Sequence, residues 1–414
     1  MNKKVIKDIS ISALYIALLI VGSYISVPVG YIKFTLQLLV VFVIANTTSL
    51  KNGLVILTLY ILMGLLGIPV FANFQGGIYY AISPTFGFVV GFYIVIIIIH
   101  LLKAKNFIQT VISFVVSLVA LYIIGVAYGA FTLNILSDKG YDFHKLMMTF
   151  VVPYIPFDLL KIGVAIVISN RVNDYNKRYI HFDSIDSTNT YLKNHYKELK
   201  NLTFVSASYQ SQGHGRMKRN WQSNKNENLM FSFLIKNPKL INEFSSISLV
   251  SGVAVSKVLI KLKISNVTIK WPNDVYVDDK KICGILMESI SNESSLDCLV
   301  VGIGINLNTK EFDEELKDKA TSYYLLKNKK ISILKVKLKV YHQIKKELKH
   351  INDKKYLEFF KEHNYLKDKE AYILLNDEKK LVKILDVNED NTLKILCDNK
   401  EMNINSGEVT FHLN

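Results

Sequence analysis

No glutamate occurs between Met1 and Tyr175, and the only acids of that stretch are Asp8, Asp138, Asp142, Asp158 and Asp174. A water-soluble domain of this size cannot clothe itself with so few carboxylates, whereas a chain passing through lipid has no need of them. Six apolar runs can be drawn, near Ile9–Val27, Phe34–Ser49, Leu54–Ile68, Phe86–Leu102, Phe107–Ala130 and Met147–Ser169. Most have roughly the 17–25 residues that a helix needs to cross hydrocarbon. A buried helix of a soluble protein can imitate one such run but not six in succession. After Tyr175, Lys, Glu, Asn and Asp become frequent. The expectation is an all-α six-helix membrane bundle over residues 1–172, a linker at 173–180, and a water-soluble remainder.

The net charge of +15 must therefore be read by halves. In the apolar half the cations flank the runs. With six spans, Lys3, Lys4, Lys7, Lys51, Lys103, Lys105, Arg171, Lys177 and Arg178 share one side, against Lys33, Lys139 and Lys145 on the other. That bias predicts a multi-pass protein of the cell membrane, in contact with lipid, with both termini and the polar half in the cytoplasm. In the polar half lysines are mixed with acids, which reads as a solvated surface, and no helix-turn-helix or zinc-finger spacing speaks for DNA. Cys283, Cys298 and Cys397 form no CxxC pair, and the residue types suggest no metal-ligand cluster.

Two features of the apolar half go beyond hydropathy. Asp158 and Lys161 are i,i+3 neighbours in Pro153-Tyr-Ile-Pro-Phe-Asp-Leu-Leu-Lys161, so a helix places them on one face. They read either as an ion pair near the interface or as the seat of an anionic solute. The segment Phe71–Gly87, rich in glycine and aromatics, permits a folded-in loop in which Asn73, Gln75 and Tyr79 can line a solute site. With Phe34-Thr-Leu-Gln37, Gly76-Gly77, Pro84-Thr85-x-Gly87-Phe88 and Pro156-x-Asp158-Leu-Leu-Lys161, the stretch resembles the biotin-transporter S component (BioY family) of energy-coupling-factor importers. The resemblance implies that Asn73, Tyr79, Asp158 and Lys161 contact biotin. It also implies that Ala13-Leu-Tyr-Ile-Ala17 docks a transmembrane coupling subunit, with Ala13 and Ala17 as the small residues. No GxxxxGK[ST] sequence is present, so an ATPase motor would be another chain. Where relatives carry Pro-Thr-Gly-Gly-type sequence, this chain has Phe86.

The polar half offers five blocks. Phe182-Asp-Ser-Ile-Asp-Ser187-Thr188-Asn189 reads as a strand end capping a helix. Gln210-Ser-Gln-Gly213-His214-Gly215-Arg216-Met-Lys218-Arg219-Asn-Trp221 is a glycine-containing basic loop, suited to an anion. Lys270-Trp-Pro-Asn273-Asp274 ends a strand at a proline-held turn. Lys281-Ile-Cys-Gly284-Ile-Leu-Met-Glu288 and Val300-Val-Gly302-Ile-Gly304-Ile-Asn306 read as strands, the latter with glycines that admit a ligand closely. It lacks GxGxxG spacing, which disfavours a dinucleotide fold.

In this order the blocks resemble the biotin protein ligase family. The resemblance implies an α+β catalytic domain over 181–365, a class II synthetase-like mixed sheet with helices, and a small SH3-like β-barrel over 366–414 containing Gly407-Glu408-Val409. It implies that biotin and ATP form biotinyl-5′-AMP, with Mg²⁺ beside the triphosphate, and that a lysine of a carboxylase's biotin carboxyl carrier domain then takes the biotin. Lys270 and Arg216 would be catalytic. Ser187, Thr188, Asn189, Gln210, Gly213, His214, Gly215, Arg216 and Lys270 would bind biotin, and Trp221, Asn273 and Asn306 would bind ATP. Relatives have Gly-Arg-Gly-Arg-x-Gly-Arg in the loop. Here His214 removes a permanent charge and Lys218 restricts the backbone. Two further readings stand beside this one: a membrane biotin sensor without turnover, and a ligase for a related acid such as lipoate.

Overall fold

A computed structural model gives the structure, which describes residues 3–29, 32–102, 104, 106–215, 221, 224–241, 243–291, 296–375, 378–405 and 412–413. Arg216, Lys218, Arg219, Lys103, Lys105 and Gly407–Val409 lie outside the described residues. The chain divides into two compact units, Met1–Tyr175 and Asn176–Asn414.

The first unit is helical. Helix α1 (Lys3–Tyr24) gives way to an antiparallel hairpin of β1 (Ser26–Val29) and β2 (Ile32–Thr35), in which Val27 pairs with Phe34. The first apolar run was expected to stay helical to Val27, and the second to begin at Phe34. The structure instead has strands at Ser26–Val29 and Ile32–Thr35, and Pro28 suits such a two-stranded edge. Then come α2 (Gln37–Thr47), α3 (Leu50–Leu65), two short 3₁₀ turns (Ala72–Phe74 and Ile78–Ile82), α4 (Phe86–Leu102) and α5 (Phe107–Ala130). Ser49 and Asn106 cap α3 and α5 by accepting from the amides of Asn52 and Gln109. The last expected span, Met147–Ser169, is not one helix. It is α6 (Phe143–Phe150), a 3₁₀ turn at Val152–Tyr154, and α7 (Ile155–Arg178). Pro153 brings no N–H and its ring obstructs the preceding turn, so the helix breaks there.

Among the described residues three helical stretches are long and apolar enough to cross a membrane: Phe107–Leu136, Phe143–Arg178 and Phe244–Lys261. Only 39% of the best window is buried in each of the first two, against 67% in the third, which lies in the second unit and is apolar because it is core. In the first unit α4 and α5 pack closely, since a Cβ on Gly91 would press on Leu121 at 2.6 Å.

The second unit is built on a seven-stranded sheet. In chain order its strands are β3 (Tyr179–Phe182), β4 (Phe204–Ala207), β5 (Leu229–Ile235), β6 (Val267–Lys270), β7 (Asp274–Val277), β8 (Lys280–Ser291) and β9 (Leu296–Ile305). They lie in the order β3-β4-β5-β9-β8-β7-β6, antiparallel except for β3 with β4. Its helices are α8 (Thr188–His195), α9 (Pro238–Ile241), α10 (Phe244–Lys261), α11 (Tyr323–Lys327), α12 (Ile333–Lys349) and α13 (Lys355–Glu362). Residues 173–180, expected as a linker, are the end of α7 and the start of β3.

Strand alternation decides what each face does. Phe231, Phe233, Val301, Ile303, Ile285 and Val275 face one way, into a core with Val253 of α10 and Val340 of α12. Their alternates Leu234, Val300 and Cys298 face the other way and meet Leu192 of α8. A second sheet of β10 (Glu370–Leu375), β11 (Glu378–Val387), β12 (Leu393–Cys397), β13 (Lys400–Ile404) and β14 (His412–Leu413) has the antiparallel order β13-β12-β11-β10-β14. It shares the larger core through Ile373, Ile384 and Leu393. Trp271 is buried and donates its indole N–H to the carbonyl of Asn391, at the β11–β12 turn, at 3.1 Å.

Candidate functional site

Each unit holds one candidate site. In the first unit a cavity of about 410 Å³ is lined by residues of the hairpin, the 71–87 segment, α2, α4, α5, α6 and α7, among them Phe34, Gln37, Asn73, Tyr80, Tyr122 and Lys161. This is within the range of sites for small organic ligands, roughly 300–1,000 Å³. Asp158 and Lys161 are 5% and 7% exposed and pair at 2.8 Å. Tyr122 donates to the other carboxylate oxygen at 2.7 Å, and the ammonium stands 3.9 Å from the centre of the Phe34 ring. Gln37 donates to Tyr60 at 2.6 Å, and Tyr60 donates to the carbonyl of Val70 at 2.8 Å. A buried cation and anion that share one apolar wall thus offer a ligand both a donor and an acceptor.

Asn73, Asp158 and Lys161, expected from sequence to meet here, do line the cavity, and Asn73 does so from a left-handed conformation (φ 63°). Tyr79 does not. The residue is 84% exposed, and its neighbour Tyr80 faces inward, stacked on Phe71 at 4.3 Å. The cause is local: successive residues of a 3₁₀ turn point about 120° apart, so only one of the two rings can face in. Gln37 was part of a quoted motif, but sequence reading attached no role to it or to Tyr122. Ala13 and Ala17 sit on the exposed face of α1 with Leu14, Leu18 and Val21, while Tyr15 and Leu19 point inward.

The second site follows from register. Lys270 pairs with Asp274, Asp274 with Gly284, Gly284 with Gly304, and Gly304 with Met230. Directly opposed residues share a face, so these form one row across the sheet, on the α8 side. Gly302, Gly304 and Asn306 recur every second residue and look the same way, while Ile303 and Ile305 enter the core. The alternating glycines leave a strip of bare backbone. The Trp221 ring lies on it, where a Cβ at Gly304 would collide with the indole and one at Gly284 would approach it to 3.0 Å.

Beside the strip stands a polar network. Ser187 caps α8, its hydroxyl accepting from the amide of Thr190 at 3.4 Å. The backbone and hydroxyl of Thr188 donate to Gln210 Oε1 at 2.7 and 2.9 Å. Asn189 lies over Gly302, where a Cβ would overlap its amide oxygen. It donates to Glu288 at 2.6 Å and accepts from Ser232 at 2.5 Å. Gln210, Gly213 and Trp221 line a cavity of about 390 Å³ that opens beside the network. His214 bonds the carbonyl of Gln212 at 3.1 Å and stands 4.0 Å from Glu288, with Gly215 next to it in the chain. Burial raises the Glu288 carboxyl, but hydrogen bonds from Lys193 and Asn189 outweigh it and hold the group below the usual range.

At the far end of the row, Lys270 faces the stacked rings of Tyr276 and Tyr365 at 5.4 and 5.8 Å and forms no ion pair among the described residues. Burial lowers its ammonium pKa, Asp274 opposes the shift, and Lys281 and Lys369 deepen it. Asp274 pairs with Lys281 at 2.8 Å through one oxygen, and its other oxygen is buried with no hydrogen-bond partner among the described residues. Asn273 spends its amide on the carbonyl of Ile285 at 2.8 Å, which ties the turn to β8. Asn306 is 5% exposed and its backbone bonds Ile282 and Tyr323. Lys193, Ser232 and Glu288 were given no role from sequence. Lys193 pairs with Glu288 across 95 positions, and no local pattern announces such a contact.

The chain's likenesses follow the same division. Residues 1–178 match the BioY family, and residues 181–306 match the biotin/lipoate A/B protein ligase family. The biotin transporter BioY of Thermotoga maritima is 37% identical over 163 residues, which cover 39% of this chain and 92% of that protein. The bifunctional ligase/repressor BirA of Escherichia coli is 37% identical over 132 residues, 32% of this chain and only 41% of that protein. The biotin protein ligase from Aquifex aeolicus, solved in complex with biotin and ATP, superposes with a TM-score of 0.52 at 34% identity, over 57% of this chain and all of that one. The chain is therefore a member of the BioY family over its first unit, fused to a biotin protein ligase domain over its second.

Proposed function

We propose that the first unit binds biotin in the membrane and that the second consumes it. In this reading the first unit is a six-span, multi-pass bundle. Both termini and the ligase domain lie in the cytoplasm, and the second sheet is the ligase's SH3-like C-terminal domain. The Asp158–Lys161 pair with Tyr122 recognises the polar ends of biotin, aided by Asn73. The exposed face of α1 around Ala13 and Ala17 receives lipid or the transmembrane subunit of an energy-coupling-factor importer, whose ATPase is a further chain.

The observation that carries the enzymatic half is the single row Lys270–Asp274–Gly284–Gly304, flanked by the Thr188–Gln210 network. A flat ligand can lie on the bare glycines, with its ring end at Gln210 and its carboxylate toward Lys270. Carboxylate and α-phosphate are both anions, so a cation placed where they meet stabilises the charge that builds up during adenylation. Among the described residues Lys270 forms no ion pair, which leaves its ammonium available to such oxygens. Ser187, Thr188, Asn189, Gln210, Gly213, His214 and Gly215 enclose the ring of biotin. Arg216 holds the adenylate, and Trp221, Asn273 and Asn306 surround the adenosine. A nucleotide-borne Mg²⁺ needs only one or two protein carboxylates, and Asp274, one of whose oxygens has no hydrogen-bond partner among the described residues, fits it. The acceptor is a lysine of a biotin carboxyl carrier domain, whose amine attacks the mixed anhydride and releases AMP.

The test is transfer of labelled biotin to a carrier domain by the purified chain with ATP and Mg²⁺. Labelling by wild type and its absence with Lys270→Ala support the reading. A folded wild-type chain that labels nothing sinks it.

A further inference from the structure

Resting on the ligase reading, we propose that Glu288 is a positioning residue that orients the biotin-binding donors from behind, with Lys193 as its counter-ion. The argument starts from what a carboxylate can do. Glu288 lies on the site face of β8, two residues beyond Leu286 and four beyond Gly284. One of its oxygens accepts from Lys193 at 2.7 Å and the other from Asn189 Nδ2 at 2.6 Å. An ionised carboxylate accepts only, so it dictates which way round the Asn189 amide sits.

The consequence travels through three buried side chains. With its N–H₂ turned to Glu288, Asn189 must show its oxygen to Ser232, whose hydroxyl donates to it at 2.5 Å. Ser232 is fully buried, and with its proton placed there its oxygen can only accept from Thr188 Oγ1, at 2.6 Å. Thr188 divides its one hydroxyl proton between Ser232 and Gln210 Oε1, and this tether fixes where its backbone N–H, which holds Gln210 Oε1 at 2.7 Å, stands. The Gln210 carbonyl is thereby occupied from behind. Its Nε2 is turned toward Gly213, where a Cβ would stand 3.1 Å from it, and both residues line the cavity. The site therefore presents Gln210 as a donor. A ring bearing a carbonyl oxygen, such as the cyclic urea of biotin, is the chemistry that such a donor recognises. Asn189, Ser232 and Thr188 are each nine-tenths or more buried, so a reversed amide in this chain would find no water to make good its lost bonds.

A glutamine at 288 would have one carbonyl oxygen for two donors, Lys193 and Asn189, and could satisfy only one. Removing the lysine as well would free that oxygen for Asn189. The assay is biotin-dependent exchange of labelled pyrophosphate into ATP by the full chain in detergent. Glu288→Ala is expected to raise the KM for biotin about tenfold or more, the worth of one charge-assisted hydrogen bond, with the KM for ATP changed less than about twofold. Glu288→Gln is expected to fall between, and Glu288→Gln/Lys193→Met to recover most of the loss. A double variant as impaired as Glu288→Ala, equal shifts in both KM values, or a wild-type KM in Glu288→Ala would each overturn the assignment. A wild-type chain with no exchange at all would instead remove the ligase reading itself, and the assignment with it.

Discussion

Replacing Lys270 by methionine keeps the apolar stem and deletes the charge, and the structure predicts that activity and stability respond in opposite directions. The ammonium is partly buried, forms no ion pair among the described residues, and feels Lys281 and Lys369 as like charges. Burial, only partly opposed by Asp274, lowers its pKa in the folded chain. The unfolded chain then binds more protons, so Lys270's contribution to stability becomes more favourable as pH rises toward the unfolded-state value, about 10.4. At neutral pH the charged lysine opposes folding. Lys270→Met should therefore be at least as stable as wild type at pH 7, with the difference shrinking as pH rises from neutral toward the unfolded-state value. Adenylation should move the other way. Loss of one preorganised charge facing the reacting oxygens costs about 10²–10³ in rate, or ~3–4 kcal/mol of barrier. Pyrophosphate exchange and thermal melts on the same preparations, at pH 7 and pH 9.5, read both quantities. A variant whose melting temperature falls in step with its rate would show that Lys270 is part of the scaffold, and wild-type exchange would show that it is idle.

Other perturbations test the remaining elements. Asp158→Asn leaves the Lys161 ammonium buried without its anion and should cost roughly 3–5 kcal/mol and abolish biotin binding by the first unit. Asp158→Asn/Lys161→Met should regain most of the stability but none of the binding, as followed by melting in detergent and by labelled biotin. Tyr80→Ala should weaken that binding at least tenfold while Tyr79→Ala leaves it within about twofold, so the reverse ranking would refute the inward assignment of Tyr80. Asn391→Ala strips Ser246 and Tyr356 of buried partners at 3.0 Å each and forces alanine into a left-handed conformation (φ 69°). A loss of about 2–4 kcal/mol is expected by denaturant titration.

What could be read in advance was whatever depends on spacing. The Gly302-x-Gly304-x-Asn306 pattern is a strand written with period two, so the face of the strand that carries the glycines was legible from the sequence. Asp158 and Lys161 were legible as a pair because an i,i+3 spacing on a helix leaves little choice. The interruptions were not. Hydropathy sums over Met147–Ser169 without noticing that Pro153 ends one helix and starts another, and it runs the first two helical stretches into strand residues 26–27 and 34–35. Nor could composition choose between Tyr79 and Tyr80, which differ only in their phase on a short 3₁₀ turn. The Lys193–Glu288 pair and the Trp271–Asn391 bond join residues 95 and 120 positions apart, and only the folded sheet brings them together.

The indole lying on the paired glycines also makes the site optically addressable. The chain has two tryptophans. Trp271 is sealed in the core with its N–H committed to Asn391, so its emission should be blue, constant and indifferent to small molecules. Trp221 covers Gly284 and Gly304, and its buried N–H has no partner among the described residues. Any ligand that settles on that strip must take the ring's place, moving one of the two fluorophores between environments while the other serves as an internal standard. Occupancy of the ligase unit can then be followed by emission wavelength in the intact membrane protein without a label, even with the cavity of the first unit full.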